Sequence, residues 1–414
     1  MEALGGLFII FVVARLFGEG AERCGQPAEV GELVAGVLLG LGLVYLAGVG
    51  MSPHGLWALD GELIEFVAQA GIFFLLLAAG IDMQPRNLMR NGGAGLGIAL
   101  GGAIVPLVAG VWVAWEFLPP SDGKAVQAGL VGVALAITAI PTTVRVLSEL
   151  GLLSTRLGQA MVAAAIFDDV IGLILLALLT ALIETGTLPG LVDCLILVGK
   201  AAGFFVVTGL LGAHIYPRIS RRLHVLQIAS AELAILMAVA MGYGVLAELL
   251  GMHWIIGVFM AGLFFEPERV GHKAYNEMKL IVGGVTSGFA GPVFFASIGL
   301  AVDLTAAVHA PVFLAALIGL AVAGKLLGSG IPALFAGFSA RDAATIGIGM
   351  SSRGAVELVI ISIAMERGLF AIAGDNPVVA ALPSALVLMA ITTTLVAPVA
   401  MSVMLKGRTR RASS

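Results

Sequence analysis

The sequence predicts an all-α polytopic membrane protein of about thirteen transmembrane helices, and three observations carry the prediction. Of 414 residues, 59% are hydrophobic and only 12% charged, with mean hydropathy +1.07; a soluble domain carries about 25% charged residues. Apolar stretches of about 20 residues, enough to cross a bilayer, recur along the chain. Its basic residues fall almost wholly in alternate loops.

In order, spans are predicted over 3–18, 29–49, 62–81, 93–117, 125–148, 158–183, 190–214, 226–248, 252–266, 280–301, 310–336, 342–365 and 378–404. The first run lacks a basic leader and a small-residue cleavage site, so it is expected to stay as a helix. One set of loops, with the tail 405–414, holds fifteen Lys and Arg, among them Arg23, Arg86, Arg156, Arg221, Arg269 and Arg411. The other set holds only Lys124 and Arg367. Positive residues stay in the cytoplasm, so the N-terminus is expected outside and the C-terminus inside a plasma (inner) membrane. Trp57, Trp115 and Trp254 fall near predicted outer ends, where interfacial aromatics collect. The 56 glycines suit helices packed backbone to backbone in lipid. Cys24 and Cys194 have no metal or disulfide spacing. The expected surroundings are the lipid bilayer; no cofactor, nucleic-acid partner, enzymatic activity or soluble domain at either end is expected.

Five basic residues fall inside spans: Arg15, Arg145, Lys200, Lys325 and Arg353. Arg15 can snorkel to the interface and Lys200 can simply pack. Lys325 and Arg353 lie close to span centres, where a partner or a water-filled cavity is the default expectation. The sixth span carries Asp168 and Asp169 side by side in AAAIFDDVIGLILLAL. A carboxylate at mid-membrane costs about 2.5–3.5 kcal/mol on insertion scales, so the pair marks a proton or cation site.

The fifth and twelfth spans echo each other. The fifth reads AITAIPTTVRVLSELG, with a polar break from Thr138 through Pro141 and Thr142 to Thr143. The twelfth reads TIGIGMSSRGAVELVI, with a break at Ser351 and Ser352 among glycines. Each break precedes an Arg with a Glu four residues on: Arg145 and Glu149, Arg353 and Glu357. The third and tenth spans also match, as IFFLLLAAGID and VFFASIGLAVD. An offset of seven spans inverts the second copy, and inverted repeats with broken helices typify secondary transporters. Pro141 frees backbone carbonyls at bilayer depth, tolerable beside a cavity or packed protein. Half-helix ends carry about half a unit charge each, and the Arg and Glu residues are placed as structural counter-charges.

Asp169 has Ala165 and Gly172 among its helical neighbours, and Lys325 has Ala321 and Gly328. Both faces admit another helix. Adjacent residues point about 100° apart, so Asp169 is expected to face the cation route and Asp168 to meet Lys325. A carboxyl withdrawn from water is neutralised by a proton or by a cation, so the two compete for the same oxygens. Glu232 and Asp193 lie nearer span ends and are expected to be solvated or locally bonded.

On these residues the chain resembles the monovalent cation:proton antiporter superfamily, close to its sodium/proton and potassium/proton exchangers. Matching segments run from QPAEVGELVAGVLLG through LLLAAGIDM, AITAIPTTVRVLSELGLL, AAAIFDDVIGLILLAL, GPVFFASIGLAVDL and AVAGKLLGS to GIGMSSRGAVELVI. The resemblance implies the sodium/proton antiporter fold: thirteen helices, inverted repeats and two crossed broken helices. It implies an ion-translocating core, about 62–183 and 280–365, and a dimerisation scaffold, about 3–61, 190–266 and 378–404, with elevator-like movement of the core in a homodimer. It also implies Asp169 as the main Na⁺ ligand, Asp168 as a further possible ligand and lysine partner, Lys325 as that lysine, and Thr138 with both breaks as the cavity lining. The Asp168–Asp169–Lys325 set is similar to that of electrogenic members, which move two protons per cation. The chain departs from the pattern in two respects. Many relatives place a Glu directly after the Arg-Gly of the twelfth span, where this chain has Arg353-Gly354-Ala355-Val356-Glu357. Potassium exchangers often carry a nucleotide-binding domain, and none is seen here.

The expected function is antiport of Na⁺ or Li⁺ against H⁺, with a K⁺/H⁺ exchanger of the same fold as the alternative. An intramembrane aspartyl protease needs its two aspartates on different helices, which consecutive residues do not supply. A sodium-coupled organic-anion symporter is the remaining rival, distinguished by sodium-dependent solute uptake.

Overall fold

In lipid no water satisfies a backbone amide, so each apolar stretch closes its own hydrogen bonds as a helix. The computed structural model follows that rule. It describes residues 2–48, 62–82, 92–121, 123–138, 146–147, 152, 155–185, 191–220, 230–250, 252–302, 310–370 and 376–412. The helices are α1 (Glu2–Arg23), α2 (Ala28–Gly48), α3 (Glu62–Asp82), α4 (Gly92–Phe117), α5 (Lys124–Ala136), α6 (Arg156–Thr185), α7 (Leu191–Ser220), α8 (Ala231–Leu249) and α9 (Trp254–Leu263). They continue, after a single turn Pro267–Val270, with α10 (His272–Val285), α11 (Gly291–Leu300), α12 (Pro311–Phe335), α13 (Ala340–Gly349), α14 (Ala355–Glu366) and α15 (Pro377–Ala412). Among the described residues, eight spans are long and apolar enough to cross a membrane, and no strand occurs.

The chain packs as two compact units. This division is by packing; the core and scaffold expected from the sequence are defined by movement, a different property. The first unit comprises Met1–Pro85 and Leu191–Val302. Its α2 and α11 meet backbone to backbone: a Cβ on Gly36 would stand 2.1 Å from the Ala296 carbonyl oxygen. Between α10 and α11 the chain makes a π-helical turn, Thr286–Ala290, in which the Gly291 N–H reaches back to Thr286 O. In that register the Ser287 carbonyl would be served by residue 292, which is a proline without an N–H. Arg15 supplies the missing donor, its Nη1 lying 3.0 Å from Ser287 O and 3.1 Å from Glu32 Oε1. So Arg15, expected to snorkel, is 44% exposed and also bridges α1 to a buried carboxylate and a freed carbonyl. Lys200, on α7, is exposed.

The second unit comprises Arg86–Gly190 and Asp303–Ser414. Here α4 and α12 cross at Gly101 and Gly328. A Cβ on Gly101 would sit 2.2 Å from Gly328 O, and one on Gly328 would sit 2.4 Å from Gly101 O. Any side chain at either position would part the helices. Ser329 Oγ adds a hydrogen bond to Ile98 O at 3.3 Å. A core of Ile98, Leu147, Met161, Ile346, Met350 and Met401 binds α4, α6, α13 and α15 together. Ser339 caps α13, its hydroxyl accepting the Asp342 N–H at 3.1 Å, as a helix N-terminus with spare donors requires.

Candidate ion-exchange site

All the described candidate residues lie in the second unit. Asp168 is placed by α6 and Lys325 by α12; Lys325 Nζ stands 3.0 Å from Asp168 Oδ1, and both side chains are fully buried. The lysine reaches this depth because its helix carries glycine three residues on, where α4 presses against it. A buried pair holds only if geometry offsets desolvation. Here one carboxylate oxygen is used, while Asp168 Oδ2 has no hydrogen-bond partner among the described residues. The free oxygen leaves the aspartate able to bind something besides the lysine. Asp169 is the next residue of α6; its side chain lies outside the described residues.

Two interrupted helices frame this pair. α5 stops at Ala136, and Ile137 turns extended (φ −77°, ψ 147°). α13 stops at Gly349, and the chain runs unwound through Ser351, Ser352 and Arg353 before α14 begins. Thr138 Oγ1 donates to Met350 O at 3.0 Å, so the two breaks touch. Ser351 and Ser352 are buried, and their hydroxyls turn back on Ile348 O (2.6 Å) and Gly349 O (3.4 Å). The first adds to the Ser351 N–H already on Ile348 O, and the second serves a carbonyl in the last turn of α13.

Arg353 carries the largest fully buried side chain described. Its Nη2 donates to Leu135 O at 2.7 Å, and its Nη1 donates to Ile137 O. A guanidinium thus sits on the carbonyl end of α5, the negative end of that half-helix. Its main chain is pinned by Thr394, whose Oγ1 accepts the Arg353 N–H at 3.2 Å and has two acceptors for its one proton, Ala390 O at 2.7 Å and Arg353 O at 2.8 Å. Glu357 lies in the first turn of α14, the positive end, with Oε2 3.7 Å from Arg353 Nε. Each counter-charge therefore stands at the dipole end of opposite sign. Pro141, Thr142, Arg145 and Glu149 lie outside the described residues.

Several contributors escape sequence reasoning. Gln127, fully buried in α5, donates from Nε2 to Leu369 O at 3.0 Å. Thr394 reads as an ordinary polar residue of an apolar span. In the first unit Glu32 is buried in α2. Its signal was available: a lone acid inside GELVAGVLLG, with Arg15 as the one cation of the preceding span.

The assembled group can hold charge away from water in two coupled places, one at Asp168 and Lys325, the other at Arg353 and Glu357. At the first, the second carboxylate oxygen of Asp168 is open to a cation or a proton. The unwound segments supply polar backbone at that depth, where a continuous helix would offer none.

Known proteins resemble the chain along most of its length. The family model described as sodium/hydrogen exchanger, transmembrane, matches residues 8–407. The chain is 31% identical over 363 residues to the Na⁺/H⁺-K⁺ antiporter GerN of Bacillus cereus, covering 88% of each chain. It is 29% identical over 369 residues to a Na⁺/H⁺ antiporter of Enterococcus hirae, covering 89% of this chain and 91% of that one. The sodium proton antiporter MjNhaP1 of Methanocaldococcus jannaschii superposes with a TM-score of 0.72 across 98% of both chains, at 17% identity, and so shares the fold. With a match running almost from end to end, the chain belongs to the transmembrane sodium/hydrogen exchanger family.

Proposed function

We propose that the chain is an electrogenic antiporter exchanging Na⁺ or Li⁺ for H⁺. The observation that carries this reading is the fully buried Lys325–Asp168 pair at 3.0 Å, in a chain of the sodium/hydrogen exchanger family. Asp169 binds the cation and exchanges it for a proton; Asp168 holds Lys325 and can add an oxygen to the ion. When the aspartate is occupied, the lysine is free to give up its proton, so more protons than cations move per cycle. Thr138 and the two breaks line the route, and access alternates as a core of about 62–183 and 280–365 moves against a scaffold within a homodimer. The chain spans the plasma membrane many times, N-terminus outside and C-terminus in the cytoplasm, works without a cofactor and performs no enzymatic chemistry. The name of the Bacillus relative includes K⁺, which makes K⁺/H⁺ exchange the second reading.

The test uses purified chain in proteoliposomes with an internal pH dye and Na⁺, Li⁺ or K⁺ added in turn. Na⁺ and Li⁺ are expected to drive proton movement that Asp169→Asn abolishes. Proton movement driven by K⁺ alone supports the second reading, and exchange that survives Asp169→Asn overturns the site assignment.

A further inference from the structure

Glu357 is fully buried, yet neither carboxylate oxygen accepts a hydrogen bond among the described residues. Its nearest cation, Arg353 Nε, stands 3.7 Å away, too far for a hydrogen bond. The two terminal nitrogens of that guanidinium are taken by the carbonyls of Leu135 and Ile137, while Nε, on the side of Glu357, has no hydrogen-bond partner among the described residues. Among the described residues, the elements packed against α14 bring no other free charge. α15 has no ionisable side chain from Pro377 to Leu405. α5 offers Gln127, whose amide is turned to Leu369, and Lys124 at its far end. The other buried charges of the cluster, Lys325 and Asp168, are paired with each other.

The positive end of α14 and Arg353 at 3.7 Å balance a carboxylate here only in part, since neither gives it a hydrogen bond. Full balance comes from a proton or from drawing Arg353 Nε closer, which pulls the guanidinium away from the α5 carbonyls. We propose that Glu357 is a proton-binding residue of the exchange cycle, acting on the broken fifth helix through Arg353. With its proton bound, Glu357 leaves the guanidinium on Leu135 and Ile137, and the end of α5 is held. When the proton departs to water on the open side, the carboxylate competes for the same guanidinium and the hold on α5 loosens. Proton occupancy and the geometry of the break then change together. The inference rests on the antiport reading and extends its proton side; Glu357 is a positioning residue, distinct from the cation-binding aspartates.

The test reads Na⁺-driven proton movement in proteoliposomes across neutral and mildly alkaline pH for the wild type, Glu357→Gln and Glu357→Asp. Removing the ionisable group is expected to displace the pH of half-maximal rate by about one unit or more. Glu357→Asp, which keeps the carboxyl, is expected to retain the wild-type profile at a lower rate. A Gln variant with the wild-type profile overturns the proposal and leaves Glu357 a structural charge only. If the Gln variant folds but does not transport, the Na⁺-induced rise in thermal stability is followed against pH instead; displacement supports the proposal and coincidence with wild type overturns it. If it does not fold, the double variant R353Q/E357Q, which strands no charge, is read the same way. A wild type that exchanges no cation for protons overturns the antiport reading itself.

Discussion

Thr138 donates its hydroxyl to the main-chain oxygen of Met350 at 3.0 Å, tying the end of one broken helix to the end of the other. Neither end could satisfy itself, because each lacks the next helical turn that would supply donors. Thr138→Val keeps the volume and removes the donor, leaving a buried carbonyl unpaired. A loss of about 1–3 kcal/mol follows, read as a lower melting temperature in detergent together with a reduced exchange rate. Thr138→Ser keeps the hydroxyl and is expected to retain most of both.

Lys325→Ala strands Asp168 in a dry site. Removing one partner of a buried pair costs about 3–5 kcal/mol, so thermal unfolding is expected to move down sharply. Lys325→Ala with Asp168→Asn leaves no unpaired charge and is expected to recover most of that loss. If the double variant is no more stable than Lys325→Ala alone, the pair is not the coupling the 3.0 Å contact describes.

Arg353→Lys keeps the charge but lacks the fork that spans the carbonyls of Leu135 and Ile137. One charge-assisted hydrogen bond, about 1.5–3 kcal/mol, is lost, and Arg353→Gln loses more. The measurement is hydrogen exchange at the end of α5: Ile137 N–H, now bonded to Val133 O, is expected to exchange faster in both variants. Unchanged protection there would show that Arg353 does not hold that end.

Arg15→Gln leaves the buried Glu32 without its cation and the Ser287 carbonyl without its guanidinium. Arg15 is 44% exposed, so solvent screens part of the pairing, and the expected loss is about 1 kcal/mol. Arg15→Gln with Glu32→Gln should be more stable than Arg15→Gln alone, checked by unfolding of the purified protein. Because the contact is remote in sequence from the aspartates, the dependence of exchange on cation concentration should be unaltered.

The sequence makes legible what lipid makes expensive. Lys325 and Asp168 stand out because a charge without a partner is not tolerated at that depth, and the apolar runs announce helices at α3, α4, α8 and α12. Geometry that depends on the backbone is hidden. Spacing pairs Arg353 with Glu357 four residues on, while the guanidinium hydrogen bonds go to carbonyls 216 and 218 residues away. A main-chain oxygen has no letter in the sequence, so neither Leu135 nor Ile137 signals its part. The π-helical turn is half legible. Pro292 marks a missing donor, but the residue that replaces it, Arg15, lies 272 positions from Ser287.

The glycine crossing of α4 and α12 restricts how Lys325 can behave. With Gly101 and Gly328 in backbone contact, and Pro332 and Val105 closed over them, the helices are locked together at the crossing. α12 cannot glide along α4 by a fraction of a turn without steric collision, so the lysine is carried by a welded plate rather than by a piston. Sliding of α12 along α4 is then not what parts Lys325 from Asp168, which α6 carries; an ion, a proton, a swing of the side chain or a shift of α6 is left to do so. The site is thus addressable by its cargo and insensitive to sliding of the helix that bears the lysine.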